Sequence, residues 1–192
     1  MKETVVDRPK GKIWTYEDYL KISDDKRYEV INGRLYEMPA PTPWHQRILK
    51  RLLNILTGFA ELKESRGEVL PSPIDVVLGD RYVLQPDIVF ISKDRLKIIG
   101  EKAIMGPPDL VVEIISPATV RRDTVVKKGI YEKYEVKEYW IVYPEERAIE
   151  VWVLSDKGKY ELFSVAEGEG KVKSKVLEEL EVGLKEVFIP QP

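Results

Sequence analysis

The sequence predicts an α/β protein: a mixed central sheet flanked by helices, with an N-terminal helix plus hairpin ahead of it and a C-terminal β-hairpin behind. Three observations carry that expectation. The stretch 107–144, PPDLVVEIISPATVRRDTVVKKGIYEKYEVKEYWIVYP, holds an apolar run at 110–115 broken only by Glu113, then a helical pattern over 123–134, then a second apolar strand at 138–143. A run bounded by Pro-Pro-Asp and Ser-Pro reads as a strand buried on both faces, and the strand-helix-strand span suits a right-handed parallel crossover. Asn32-Gly33 lies between two strand-like stretches and supplies the positive φ values that a type I′ hairpin turn requires. Thr42 followed by Pro43 opens a long amphipathic pattern as N-cap and first helical residue.

In chain order, residues 1–12 are expected to form a polar tail before a single domain spanning 13–192. Thr15 and Asp18 make a capping-box-like pair for a first helix carrying Tyr16, Tyr19, Leu20 and Ile22. In the hairpin, alternation places Glu29 on the same face as Ile31, which predicts partial burial. A cross-strand pair with Arg34 is the favoured explanation of that carboxylate. The helix opened by Thr42 runs to about residue 63, with Ile48, Leu52, Ile55, Leu56 and Phe59 as its apolar stripe and His45, the only histidine, in its first turn. The stretch 67–78 reads as one extended strand bent at Pro71 and Pro73. Asp87 follows Pro86 at the head of the run 88–91, where a turn aspartate is the plain alternative to a functional one. The connection 92–106 admits a short helix around 94–98. Residues 148–154 and 159–165 form a hairpin around Asp156-Lys157-Gly158, and 182–188 close the chain as a strand or turn with a short amphipathic segment.

Composition sets the bounds. The 192 residues suffice for one substantial core, and a net charge of −2 excludes a broadly basic protein that coats nucleic acid by charge alone. Residues 116–137 still hold Arg121, Arg122, Lys127, Lys128, Lys133 and Lys137 against Asp123, Glu132 and Glu135, a local basic excess suited to a phosphate backbone. The absence of cysteine excludes disulfides and thiolate metal sites. No apolar run approaches the length of a membrane span and the N-terminus has no apolar leader, so a soluble cytoplasmic protein is expected.

The chemistry concentrates in a few residues. A carboxylate buried in an apolar strand costs several kcal/mol unless a cation, a metal or a set of donors compensates, so Glu113 calls for a specific partner. Asp123, Lys127 and Tyr131 lie at four-residue intervals along one helical stripe, which brings Lys127 toward the end of the Glu113 strand. Hard divalent cations bind through one or two carboxylates plus water and substrate phosphate, and two acids on neighbouring strands would supply that. The plain alternative for Lys127 is a surface i,i+4 pair with Asp123.

Pro86-Asp87, Glu113-Ile114-Ile115 and the following helix resemble the PD-(D/E)xK, or restriction-endonuclease-like, core. More closely, Glu113, Ser116-Pro117, Asp123, Lys127, Tyr131 and Glu138-Tyr139-Trp140, with YEVINGRLYEM and His45 upstream, resemble the Uma-type family of endonucleases, over about 15–188. Two departures stand out. Ile115 occupies the usual motif-lysine position, so the amine is supplied by Lys127, and Tyr143-Pro144 replaces the family's common Asp-Pro. The resemblance implies a metal-dependent hydrolase of DNA phosphodiesters. Asp87 and Glu113 would bind Mg²⁺ or Mn²⁺, Lys127 would act on the nucleophile or phosphate, Glu29 would be a further acid, and His45 and Gln85 would line the cleft. Arg121, Arg122 and Lys128 are the expected backbone contacts, and a homodimer is the expected assembly. A non-catalytic nucleic-acid-binding or assembly module on the same fold, using Arg121, Arg122, Lys128 and Lys133, is the alternative. A hydrolase of another phosphate ester is a third.

Overall fold

The computed structural model describes residues 4–5, 11–117 and 119–189. The first part of the chain gives β1 (Thr4–Val5), α1 (Tyr16–Tyr19), β2 (Tyr28–Ile31), β3 (Arg34–Glu37) and α2 (Pro43–Thr57), which continues as a π-helical stretch over Gly58–Lys63. Then come β4 (Gly67–Pro71), β5 (Val76–Gly79), β6 (Tyr82–Leu84), β7 (Ile88–Ser92), a 3₁₀ stretch at Lys93–Ile98 and β8 (Ile104–Met105). The second half holds β9 (Leu110–Ile114), a π-helical stretch Arg122–Lys127 leading into α3 (Lys128–Lys133), and β10 (Glu138–Tyr143). It ends with β11 (Ala148–Leu154), β12 (Tyr160–Glu167), β13 (Lys171–Lys173), β14 (Glu181–Gly183) and α4 (Leu184–Val187).

The mixed α/β architecture is present, with its strands shared between two six-stranded mixed sheets. One runs β1-β3-β2-β6-β5-β8 and the other β12-β11-β10-β9-β7-β4, while β13 and β14 form a small ribbon. The crossover from β9 through α3 to β10 is parallel, with Glu113 opposite Ile141. Asn32 and Gly33 both take positive φ, 51° and 72°, as the type I′ turn demands. Thr15 and Asp18 cap α1 reciprocally, and Thr42 Oγ1 accepts from the His45 amide at the head of α2.

The central strands β7, β9 and β10 of the second sheet are buried on both faces, and alternation along them sorts the side chains. Leu110, Val112 and Ile114 of β9 join Trp140 and Val142 in a core with Ile48, Leu52 and Leu56 of α2. Val111 and Ile115 join Tyr139, Ile141, Ile130 and Tyr131 in a second core reaching Val76 and Leu84 of the first sheet. Glu113, between Val111 and Ile115 in this alternation, shares their face. It emerges between the two sheets, beneath the crossover helix.

Two expectations are corrected. The single bent strand at 67–78 is two strands in different sheets, because Pro71 and Pro73 bracket a break after which the chain crosses from one sheet to the other. Glu29 pairs not with Arg34 but with the interior: it lies opposite Tyr36 in the register and is fully buried. Most of the expected polar tail, 1–3 and 6–10, lies outside the described residues, while Thr4–Val5 add an edge strand on β3. Among the described residues no helix is long and apolar enough to cross a membrane.

Candidate active site

The link 85–87 carries the chain from β6 in the first sheet to β7 in the second, and it is pinned on both sides. The Asp87 amide donates to the Val112 carbonyl at 3.1 Å, and the Asp87 carbonyl accepts from the Ser72 amide at 2.8 Å. Asp87 Oδ2 accepts from the Ile114 amide at 2.7 Å, which fixes this carboxylate beside the residue that follows Glu113. His45 Nε2 lies 3.2 Å from the same oxygen. The Gln85 amide donates to Glu29 Oε1 at 2.8 Å, and its side-chain amide donates to Asp75 and to the Tyr19 hydroxyl.

Lys127 is the hub. Its Nζ lies 2.7 Å from Glu29 Oε1, 2.9 Å from Glu113 Oε1 and 3.6 Å from Asp123 Oδ1. The Tyr131 hydroxyl donates to Glu113 Oε1 at 2.7 Å. The four-residue stripe of Asp123, Lys127 and Tyr131 is therefore real, although the helix is π-wound up to Lys127, a distortion common at functional sites. Lys127 is 1 % exposed, Glu29 0 % and Glu113 4 %. A surface i,i+4 pair is thus replaced by a buried cluster.

Burial pushes the Glu113 carboxyl well above the usual glutamate range, against the pull of the Lys127 ammonium, and burial likewise raises Asp123. For Lys127 burial pulls downward, but Glu113, Glu29 and Asp123 together outweigh it and hold the amine above the ordinary lysine value. Lys127 is therefore a fixed ammonium and a poor candidate for a general base. Burial keeps the Tyr131 phenol protonated, so it remains a donor to Glu113.

Four acids, Glu29, Asp87, Glu113 and Asp123, face Lys127 and Arg122, and their crowding adds to burial in raising Glu113 and Asp123. Glu29 Oε2 accepts no hydrogen bond and lies 3.9 Å from Arg122 Nε. Among the described residues no hydrogen bond engages Asp87 Oδ1 or Glu113 Oε2 either, so each carboxylate is anchored by one oxygen and keeps the other. No group of three or more His, Asp or Glu among the described residues forms a ready metal cage. Hard cations such as Mg²⁺ take oxygen ligands, one or two carboxylates with water and substrate phosphate, and carboxylate oxygen is the donor type that Asp87 and Glu113 offer here.

Asp87, Glu113 and Lys127 line one cleft of about 320 Å³ together with His45, Gln85, Arg122 and Asp123. The other expected contacts lie elsewhere. Arg121 is exposed beyond the cleft lining, and Lys128 Nζ sits 2.8 Å from the centroid of the Trp152 ring. The local basic excess at 116–137 does not form a single patch, because Lys127 and Arg122 turn inward, Lys133 lies over Tyr82 and Tyr134, and Lys137 reaches Asp109. Asp123, Tyr131, Tyr19 and Asp75 were not among the expected site residues. Asp123 was signalled by its four-residue offset from Lys127, whereas the Tyr19-Asp75 pair that holds Gln85 had no sequence signal.

The model of the Uma2 family, described as "Putative restriction endonuclease", matches residues 16–185. No curated protein matches the chain. The chain is also similar to the solved structure of "a putative nuclease belonging to DUF820" from Anabaena variabilis ATCC 29413. That match has a TM-score of 0.74 and 20 % identity, covering 91 % of this chain and 97 % of the other, a likeness of fold.

Proposed function

This chain belongs to the Uma2 family, and on that premise we propose that it is a metal-dependent endonuclease hydrolysing phosphodiester bonds in DNA, acting in the cytoplasm as a homodimer. The observation that carries the proposal is the crowding of four acids around one buried amine, with Asp87 and Glu113 each keeping an oxygen outside any hydrogen bond among the described residues. Asp87 and Glu113 would hold Mg²⁺ or Mn²⁺. Such an ion, when bound, lowers the pKa of water and neutralises charge on a phosphoryl oxygen. Lys127, kept protonated by its three carboxylates, holds the attacking oxygen or the phosphate by charge and hydrogen bonding. Tyr131 fixes Glu113, the Gln85 amide fixes Glu29, and the Ile114 amide fixes Asp87, so the groups are set before substrate arrives. His45, against Asp87, and Arg122, against Glu29, border the same space.

The test is cleavage of labelled DNA in Mg²⁺ or Mn²⁺ by the wild type and by folded Asp87→Ala and Lys127→Ala variants. The proposal expects cleavage in the wild type only. Absence of cleavage with either metal, together with no metal binding by calorimetry, would remove it.

A further inference from the structure

The stretch 116–137 commits most of its cations to partners within the fold, so charge that meets a polyanion has to stand elsewhere. A chain with 33 Asp and Glu in 192 residues carries none between Glu37 and Glu61, and α2 lies wholly inside that gap. Its cations are Arg47, Lys50 and Arg51. Arg51 is held by the fold: its guanidinium donates to the Val187 and Ile189 carbonyls and lies over the Trp44 ring. Arg47 and Lys50 are exposed, and among the described residues neither side chain has a hydrogen bond, an ion pair or a ring contact. Arg47 stands three residues before Lys50 and four before Arg51, and like charges at those spacings oppose helix formation. A helix that needed only to be solvated would intersperse acids with its cations, as Lys128, Glu132 and Lys133 do on α3.

The charged face is continuous with the cleft. Trp44, His45 and Gln46, in the first turn of α2, line it. Lys50 follows Gln46 by four residues and so stands on the same side of the helix, one turn beyond the rim, with Arg47 beside it. Asn54 extends the exposed row with a neutral donor. We infer that the outward face of α2, through Arg47 and Lys50, carries the phosphate backbone of a nucleic acid past the mouth of the cleft. The inference rests on the phosphodiesterase reading and adds to it the contacts outside the cleft that a polymer makes and a small phosphodiester does not. Such contacts fix where a nucleic acid lies without reading its bases, and a cation that holds no acid partner gives its whole charge to them.

The test reads binding of a labelled DNA duplex to the full chain by fluorescence anisotropy, in EDTA and at several concentrations of monovalent salt. Replacing both residues, Arg47→Ala with Lys50→Ala, should weaken binding at least about tenfold at low salt. It should also lower the logarithmic salt slope by about 1.8, two phosphate contacts at about 0.9 each. The exchange Arg47→Lys with Lys50→Arg keeps both charges and should keep the slope. Lys97→Ala with Lys102→Ala removes two exposed cations between β7 and β9 and should leave the slope unchanged. An unaltered slope in the Arg47 and Lys50 alanine pair overturns the inference. So does an equal drop in the Lys97 and Lys102 pair or in the charge-keeping exchange, or a wild type that binds no duplex at low salt. Urea unfolding curves verify that each variant is native. Because binding is read without turnover, a wild type that binds through this face yet cuts nothing with Mg²⁺ or Mn²⁺ removes the phosphodiesterase reading and leaves the binding surface in place.

Discussion

Glu113 and Glu138 stand on the adjacent strands β9 and β10, both shut away from solvent, and the donors around them differ. Glu138 Oε1 accepts from the Trp140 indole at 2.6 Å and the Ser174 hydroxyl at 2.7 Å, while Oε2 accepts from the amides of Lys175 and Val176 at 2.7 and 2.8 Å. Both oxygens are saturated by neutral donors, and the group ties β10 to the segment that leads into β14. Glu113 takes its two hydrogen bonds on one oxygen, shares its cation with Glu29 and Asp123, and faces a cleft. Burial of a carboxylate is thus common to a structural tie and a candidate catalytic centre. The spare oxygen and the crowding by other acids separate them.

Catalysis should separate the two centres most widely. Asp87→Asn keeps the shape of the side chain but removes one charge from the proposed cation site, and its turnover with Mg²⁺ should fall by about 10²–10³ or more, read with a labelled oligonucleotide. Glu138→Gln, assayed where it is folded, should turn over at the wild-type rate. A loss in Glu138→Gln as large as that in Asp87→Asn would erase the distinction.

Stability should separate them next, by urea unfolding with EDTA present. Lys127→Met strands three carboxylates around an apolar side chain and should cost about 3–5 kcal/mol. Glu138→Gln turns an acceptor into a donor facing other donors and should cost about 1–3 kcal/mol. The reverse order would mean that the acids around Lys127 are compensated by something other than the ammonium.

A pH series sharpens the contrast against a third buried acid. Because burial raises Glu113 and Asp123, the folded protein holds more protons than the unfolded chain between the ordinary carboxylate range and their folded values. Metal-free stability should therefore rise as pH falls from neutral toward that range, and Glu113→Gln should flatten the slope. Asp109 has the opposite sign. Burial pushes it up, yet Lys137, the Ser92 amide and Arg95 hold it below the ordinary aspartate value. Its stabilisation is present above that value and is lost as pH falls through the lower folded one, so Asp109→Asn should remove an acid limb.

The smallest expected effect lies at the periphery. Arg121→Ala should leave turnover intact and lower the salt dependence of DNA binding by about 0.9 in the logarithmic slope for duplex, measured by anisotropy at several ionic strengths.

Much of this arrangement was legible in the sequence because it rests on local rules. The Asn-Gly turn, the Thr42-Pro43 helix start and the four-residue stripe through Lys127 each follow from backbone geometry. The anomaly of Glu113 in an aliphatic strand was legible because burying charge is costly. The partner of Glu29 was not, since alternation gives a face but not what lies above it, and the crossover helix of a different sheet supplies Lys127. The split of 67–78 into two sheets and the Tyr19-Asp75-Gln85 network were hidden for the same reason: each depends on contacts between stretches distant in the chain. Glu138 was readable as a motif residue but not as a saturated tie, because three of its four donors come from 174–176.

The most direct measurement is a calorimetric titration of the wild type and Asp87→Asn with Mn²⁺. One saturable site in the wild type, weakened at least about tenfold by the substitution in a folded protein, is what two carboxylates with a free oxygen each, on Asp87 and Glu113, predict. A native wild type that takes up no Mn²⁺, or an Asp87→Asn variant that binds it equally well, would contradict the assignment of those two carboxylates.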